Sequence, residues 1–213
     1  MTTFTVFAVL AIALQPESSG IRRVFEDNLA RRRQESGASD PRTAQAARDL
    51  ALFLLKEGDR AAARRVLGEA LKLDDTSLGP TAPETLQDAL TLAGISPAAQ
   101  AEPLLRRAME ARDPAIAGPA LAALAVIRKS AGDAASAAAL YRRAVEKAEA
   151  AEGRSSPVVA LILAQLATVA PRAEALEALR RAVAIDRQAL GAKHPETLAA
   201  QAALDRTLKA GAR

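Results

Sequence analysis

A chain of 213 residues with 29 Lys and Arg against 25 Asp and Glu has room for one sizeable domain or one repeat array. Half of it is hydrophobic, largely through Ala, and the aromatics are limited to Phe4, Phe7, Phe25, Phe53 and Tyr141. That balance favours closely packed helices over strands, which draw on β-branched and aromatic residues.

The absence of cysteine excludes disulfides, thiolate metal sites, a cysteine nucleophile and a Cys-linked lipid. The net charge of +4 invites a nucleic-acid reading. The signs alternate, however, as in Glu57, Asp59, Arg60, Arg64, Arg65 and Glu69. Such alternation describes solvated helix faces, and nucleic-acid binders instead gather cations on one face with aromatics for stacking.

In chain order, Phe4 to Leu14 comes first. This apolar run of about eleven residues is too short to span a bilayer. Small residues at Ala11 and Ala13, then a polar stretch from Gln15 to Gly20, give it the layout of a secretory signal. Met1-Thr2-Thr3 supplies none of the usual basic residues, and the competing reading is a first helix buried against the next. Residues 1–17 are therefore set apart as an apolar N-terminal segment, with export to the periplasm on one reading and a cytoplasmic protein on the other. Residues 18–213 form the helical domain.

Within that domain, residues 18–36 read as a lone helix. X-Pro steps follow at Asp40-Pro41, Ala82-Pro83, Asp113-Pro114, Ser156-Pro157 and His194-Pro195, the prolines separated by 42, 31, 43 and 38 residues. Each proline opens an Ala/Leu-rich stretch, as suits a residue whose missing N–H costs nothing in a helix's first turn. Asp40 and Ser156 are good N-cap types. Gly58-Asp59 and Gly132-Asp133 end one helix and begin another, glycine fitting the left-handed position after a helix. A third register runs through Val66-Leu67-Gly68-Glu69-Ala70-Leu71, Leu104-Leu105-Arg106-Arg107-Ala108-Met109, Leu140-Tyr141-Arg142-Arg143-Ala144-Val145 and Ala178-Leu179-Arg180-Arg181-Ala182-Val183, in steps of 38, 36 and 38 residues. Three markers with nearly one period predict serial helix hairpins. None can bury its apolar stripe alone, so neighbours stack into a shared core.

These residues resemble the tetratricopeptide-repeat (TPR) pattern. Leu50-Ala51, Leu54, Gly58-Asp59, Ala63, Leu67 and Ala70 carry the likeness, as do Leu124-Ala125, Gly132-Asp133, Ala137, Tyr141 and Ala144. The long joints, residues 29–43 and 185–197, resemble the kinesin-light-chain type. The likeness spans roughly residues 20–210. It implies an all-α TPR-like α-solenoid of antiparallel helix pairs, about four full repeats plus a flanking helix at each end, the last being Pro195 to Lys209. The pattern departs from the family at a short first helix in the second repeat, at a clipped turn near Ala170-Pro171, and at Arg128, where a large apolar residue is usual.

Chemistry-bearing groups are sparse. His194 is the only histidine and stands at a helix start, so neither a metal site nor a Ser-His-Asp arrangement gathers round it. Asp74-Asp75 is expected to be solvated near a helix end, and Tyr141 to pack in the core. No enzyme, cofactor or metal is called for. The resemblance implies a protein-interaction scaffold for a protein or peptide partner; the alternative is a structural or regulatory subunit of a larger assembly, a cell-envelope one if the N-terminal segment holds it there, and nothing in the sequence fixes the oligomeric state. It also implies a groove lined by first helices: Gln45, Arg48, Leu52, Leu55 and Lys56, then Leu86 and Leu90, then Val126 and Lys129, and finally Arg206 and Lys209. That surface is an apolar strip flanked by cations, and Arg48 is expected to offer charge-assisted hydrogen bonds to a carboxylate. The asparagines that clamp a peptide backbone in kinesin-light-chain-like repeats are missing, since Arg48-Asp49 stands in their place.

Overall fold

The computed structural model of the chain describes residues 15–37 and 40–210, without the side chains of 15–19. The apolar run Phe4–Leu14, and with it the export reading, lies outside them. Among the described residues there are ten α-helices: α1 (Gln15–Ser36), α2 (Pro41–Lys56), α3 (Arg60–Ser77), α4 (Pro83–Gly94), α5 (Ala98–Ala108), α6 (Pro114–Ser130), α7 (Ala134–Glu152), α8 (Pro157–Leu166), α9 (Arg172–Ala189) and α10 (Pro195–Lys209). No helix among them is long and apolar enough to cross a membrane.

Local chemistry accounts for the boundaries. Helices α2, α4, α6, α8 and α10 each begin on the proline of an X-Pro step. The preceding side chain caps four of them: Asp40 accepts from the amide of Arg42 at 2.8 Å, Asp113 from Ala115 at 2.8 Å, Ser156 from Val158 at 3.1 Å, and His194 through Nδ1 from Glu196 at 3.3 Å. The lone histidine thus has the structural role read from its position. Within hairpins, Gly58 (φ 84°) and Gly132 (φ 81°) take the left-handed conformation that ends α2 and α6. Asp59 and Asp133 then cap α3 and α7. At 12 residues, α4 is short beside the 16 and 17 of α2 and α6, as the second repeat's spacing implied.

The helices gather into two compact units, divided between Ser96 and Pro97 in the turn that joins α4 to α5. In the first unit α1 packs on α2, where the Phe25 and Phe53 rings stack with centroids 5.2 Å apart. Arg33 of α1 pairs with Glu69 of α3 at 2.6 Å. The α2/α3 hairpin buries Ala47, Leu50, Ala51 and Leu54 against Ala63, Leu67 and Ala70.

In the second unit α6/α7 and α8/α9 are the hairpins, with α5 and α10 flanking them. Their core holds Leu121, Tyr141, Val159, Ile162 and Leu163, and α9 meets α10 through Leu179, Val183, Ala200 and Leu204. Tyr141 is buried as expected. At Gly118 of α6, a Cβ would stand 3.3 Å from the Cβ of Lys147 in α7, so the missing side chain sets how closely these helices cross. Arg128, out of place by the family pattern, lies half-buried and donates to Glu102 of α5, which also takes Arg106 at 2.8 Å. An ion pair there replaces the apolar contact.

Candidate interaction surface

In the first unit, the outward face of α2 carries Gln45, Arg48, Leu52 and Lys56. Leu52 is 58% exposed, a large apolar side chain facing solvent. Lys56 is exposed beyond it and Leu55 half-buried between them.

Arg48 is held within the chain. Its guanidinium donates to a carboxylate oxygen of Asp74 in α3, to Asp88 of α4 at 3.2 Å, and to Gln45 Oε1 at 2.9 Å. Gln45 in turn donates to Asp49 at 2.8 Å. Asp74 is fully buried and Asp88 only 3% exposed. The solvated Asp74 expected from sequence is therefore corrected: it lies at the foot of α3, where α2 and α4 both cover it, and its charge is met by Arg48. Burial pushes the Asp88 carboxyl up to about 6, Arg48 opposing and the nearby Asp74 adding to the shift. One guanidinium between two buried carboxylates leaves the second short of compensation. Leu86 is 4% exposed; it is third after its proline, a position that also buries Ala44 in α2 and Ala160 in α8 but leaves Leu198 of α10 55% exposed. Leu90 is half-buried.

In the second unit, Val126 of α6 is 50% exposed. It follows Leu124-Ala125 as Leu52 follows Leu50-Ala51, so the two apolar residues hold equivalent places in their hairpins. The Lys129 ammonium donates to Thr168 Oγ1 at 2.9 Å. Thr168 also lines a hollow of about 550 Å³, together with Arg172 of α9 and Arg206 of α10. Arg206 further donates to the carbonyl of Ala202 at 3.3 Å, while Lys209 is exposed.

Sequence reasoning passed over the first helix of the fourth hairpin. Leu161 of α8 is 57% exposed and lies on a cavity of about 200 Å³ with Ala164, Gln165, Asp186, Glu196 and Ala200. Asp186 is 5% exposed, and burial, with Glu196 beside it, raises its carboxyl above the ordinary value, His194 opposing.

No family model and no curated protein matches this chain. Among solved structures, BtubC (BKLC) from P. vanneervenii is similar over 93% of this chain and 74% of its own, at 18% identity and a TM-score of 0.58. Two crystal structures of kinesin light chain nearly identical TPR-like repeats from Podosopora anserina, one of them of a point variant, align over 92% of this chain and 79% of theirs at 20% identity, with TM-scores of 0.42 and 0.41. The likeness to BtubC shows the fold. Together with the described helices, it places the chain among all-α, TPR-like repeats of antiparallel helix pairs.

Proposed function

We propose that the chain is a non-catalytic scaffold that holds a partner protein or peptide on the outward faces of its first helices. The observation that carries this reading is the recurrence, in each unit, of one large apolar side chain left exposed at the same repeat position beside a cation: Leu52 with Lys56, and Val126 with Lys129. An isolated exposed leucine needs no explanation, but a repeated one at a fixed register is a pattern that core packing does not require. The TPR-like fold supports the reading, since such repeats present a face that their stacking leaves free. Asp88, whose carboxyl burial pushes up to about 6, also fits a structural role, because Arg48 engages it in the interior.

On this reading Gln45, Leu52 and Lys56 with Leu90 form the first unit's contact face, and Val126, Lys129, Arg206 and Lys209 belong to the second's. Arg48 acts by holding the joint beneath that face, and Leu86 by packing under it.

The test is crosslinking and partner capture in the native cell with three proteins: wild type, Leu52→Glu/Lys56→Glu, and Val126→Glu/Lys129→Glu. All four altered side chains are at the surface, so thermal melts should coincide. Loss of the same recovered protein in at least one variant supports the reading. Equal recovery from all three would eliminate it.

A further inference from the structure

Two joints of this chain are built to one plan. Gly79 and Gly191 both take the left-handed conformation, with φ 95° and 94°. Each is followed four residues later by Pro-Glu-Thr, at Pro83 and at Pro195. In both, the carbonyl five residues before the glycine accepts two amides: Asp74 from Leu78 and Gly79 at 2.9 and 3.0 Å, Asp186 from Leu190 and Gly191 at 2.8 and 3.1 Å. In both, the side chain of that residue is a buried carboxylate.

What faces the carboxylate differs. Asp74 meets Arg48, seventh after Pro41 of α2, and lies near Asp88, fifth after Pro83 of α4. In the second joint the corresponding positions are Ala164, seventh after Pro157 of α8, and Ala200, fifth after Pro195 of α10. The register is secure, because α2 and α8 bury the same positions: Thr43, Ala44, Ala46, Ala47 and Leu50 against Val159, Ala160, Ile162, Leu163 and Leu166. The second joint has therefore kept the carboxylate and lost the guanidinium.

The consequences are visible around Asp186. Its carboxylate has no hydrogen-bond partner among the described residues, although the residue is only 5% exposed. Both alanines line the cavity of about 200 Å³ on which it opens. A water occupies about 30 Å³ of liquid, so that volume admits a guanidinium with part of its stem. Glu196 and the half-buried Gln165 line the same cavity. A carboxylate only 5% exposed and without a partner is poorly solvated, and a cation arriving from outside would offset that loss.

We propose that this cavity between α8, α9 and α10 receives the guanidinium of an arginine side chain presented by a partner protein, with Asp186 as its buried counter-ion. Glu196 supplies a second carboxylate at the rim, Gln165 an amide oxygen, and exposed Leu161 an apolar wall for the arginine's methylenes. Arginine fits better than lysine because a planar fork of five donors can serve three acceptors at once. This rests on the scaffold reading and adds to it the chemistry of one partner residue.

The experiment is a binding titration on the full chain at neutral pH, by calorimetry and by NMR of the Ala164 and Ala200 methyls. The probes are the peptide acetyl-Gly-Ser-Arg-Ser-Gly-amide, its lysine and citrulline counterparts, and guanidinium chloride. The arginine peptide should bind with a dissociation constant of about 1 mM or below, and the citrulline peptide about tenfold more weakly or worse. Ala164→Arg supplies the missing cation from within, as Arg48 does in the other joint. It should weaken arginine-peptide binding by at least about tenfold and raise the melting temperature. Asp186→Asn should weaken binding similarly, and the Ala164→Arg result stands on its own if the asparagine variant fails to fold.

Equal binding of arginine and citrulline peptides, no binding of the arginine peptide, or undiminished binding to Ala164→Arg would overturn the proposal. Saturation by guanidinium chloride at the same concentrations as the peptide would assign the cavity to a small ion and remove the protein partner. The scaffold reading fails separately: peptide results as expected, with partner capture indifferent to the Leu52 and Val126 variants, would sink that reading alone.

Discussion

Replacing Asp88 by Asn should make the protein more stable at neutral pH and should flatten its stability profile in the acid range. In the wild type, Arg48 faces two buried carboxylates, and the Asp88 carboxyl is pushed up from 3.8 to about 6, chiefly by burial. The folded state then holds a proton more tightly than the unfolded chain does. The associated stability is complete below the unfolded value near 4 and is lost as pH rises through 6. A rise of that size, at about 1.4 kcal/mol for each tenfold change in proton affinity, corresponds to about 3 kcal/mol of lost stability at pH 7. Partial exposure of Arg48 screens the pair, so about 1–3 kcal/mol is the expected gain from the uncharged side chain. The asparagine amide can also donate to Asp74 Oδ1, a buried oxygen without a partner among the described residues. Urea unfolding followed by far-UV circular dichroism, repeated between pH 4 and 8, reads the effect directly. The two proteins should converge near pH 4 and separate steadily above pH 5. Other shifted carboxylates, such as Asp40, Glu102 and Asp186, are common to both proteins and drop out of the difference. Parallel profiles, or an asparagine variant weaker at pH 7, would refute the reasoning.

Three further outcomes are expected. Arg48→Met leaves both buried carboxylates without their cation and should cost about 3–5 kcal/mol in a denaturant titration at pH 7. Tyr141→Phe should be neutral or stabilising by up to about 1 kcal/mol in thermal melts, because the Tyr141 hydroxyl is buried with no partner among the described residues. Gly132→Ala should destabilise by about 1–2 kcal/mol in the same measurement, since it forces a side chain into the left-handed region at the α6–α7 turn.

The periodic features of this fold were readable from sequence because they depend on residues near one another along the chain. Proline at a first helical turn, a capping carboxylate and a left-handed glycine each act within about five residues, and their recurrence located the starts of α2, α3, α4, α6, α7, α8 and α10. The side-chain network was harder to read. Asp74 and Asp88 are 26 and 40 residues from Arg48, and only the stacking of three helices brings them together. A charged residue on a periodic helix looks solvated until the neighbour covering it is known. One signal was available all the same. Asp74 and Asp186 stand nine residues before equivalent Pro-Glu-Thr triplets, and aligning those triplets sets Arg48 against Ala164. Reading the repeats against each other at their polar positions, and not only their apolar ones, would have drawn attention to the fourth hairpin.

The narrow crossing of α6 and α7 bears on how interchangeable these hairpins are. Counted back from the turn glycines Gly132 and Gly58, Gly118 matches Ala44 of α2, where a methyl is accommodated in full burial. Transplanting the α2 sequence into α6 would set that methyl 3.3 Å from Lys147 Cβ, and α7 would have to yield by a few tenths of an ångström. Repeats that share a pattern are therefore not free modules. Gly118 and the α7 helix that crosses it so closely must travel as a set in any shuffling of this array, whether by recombination or by design.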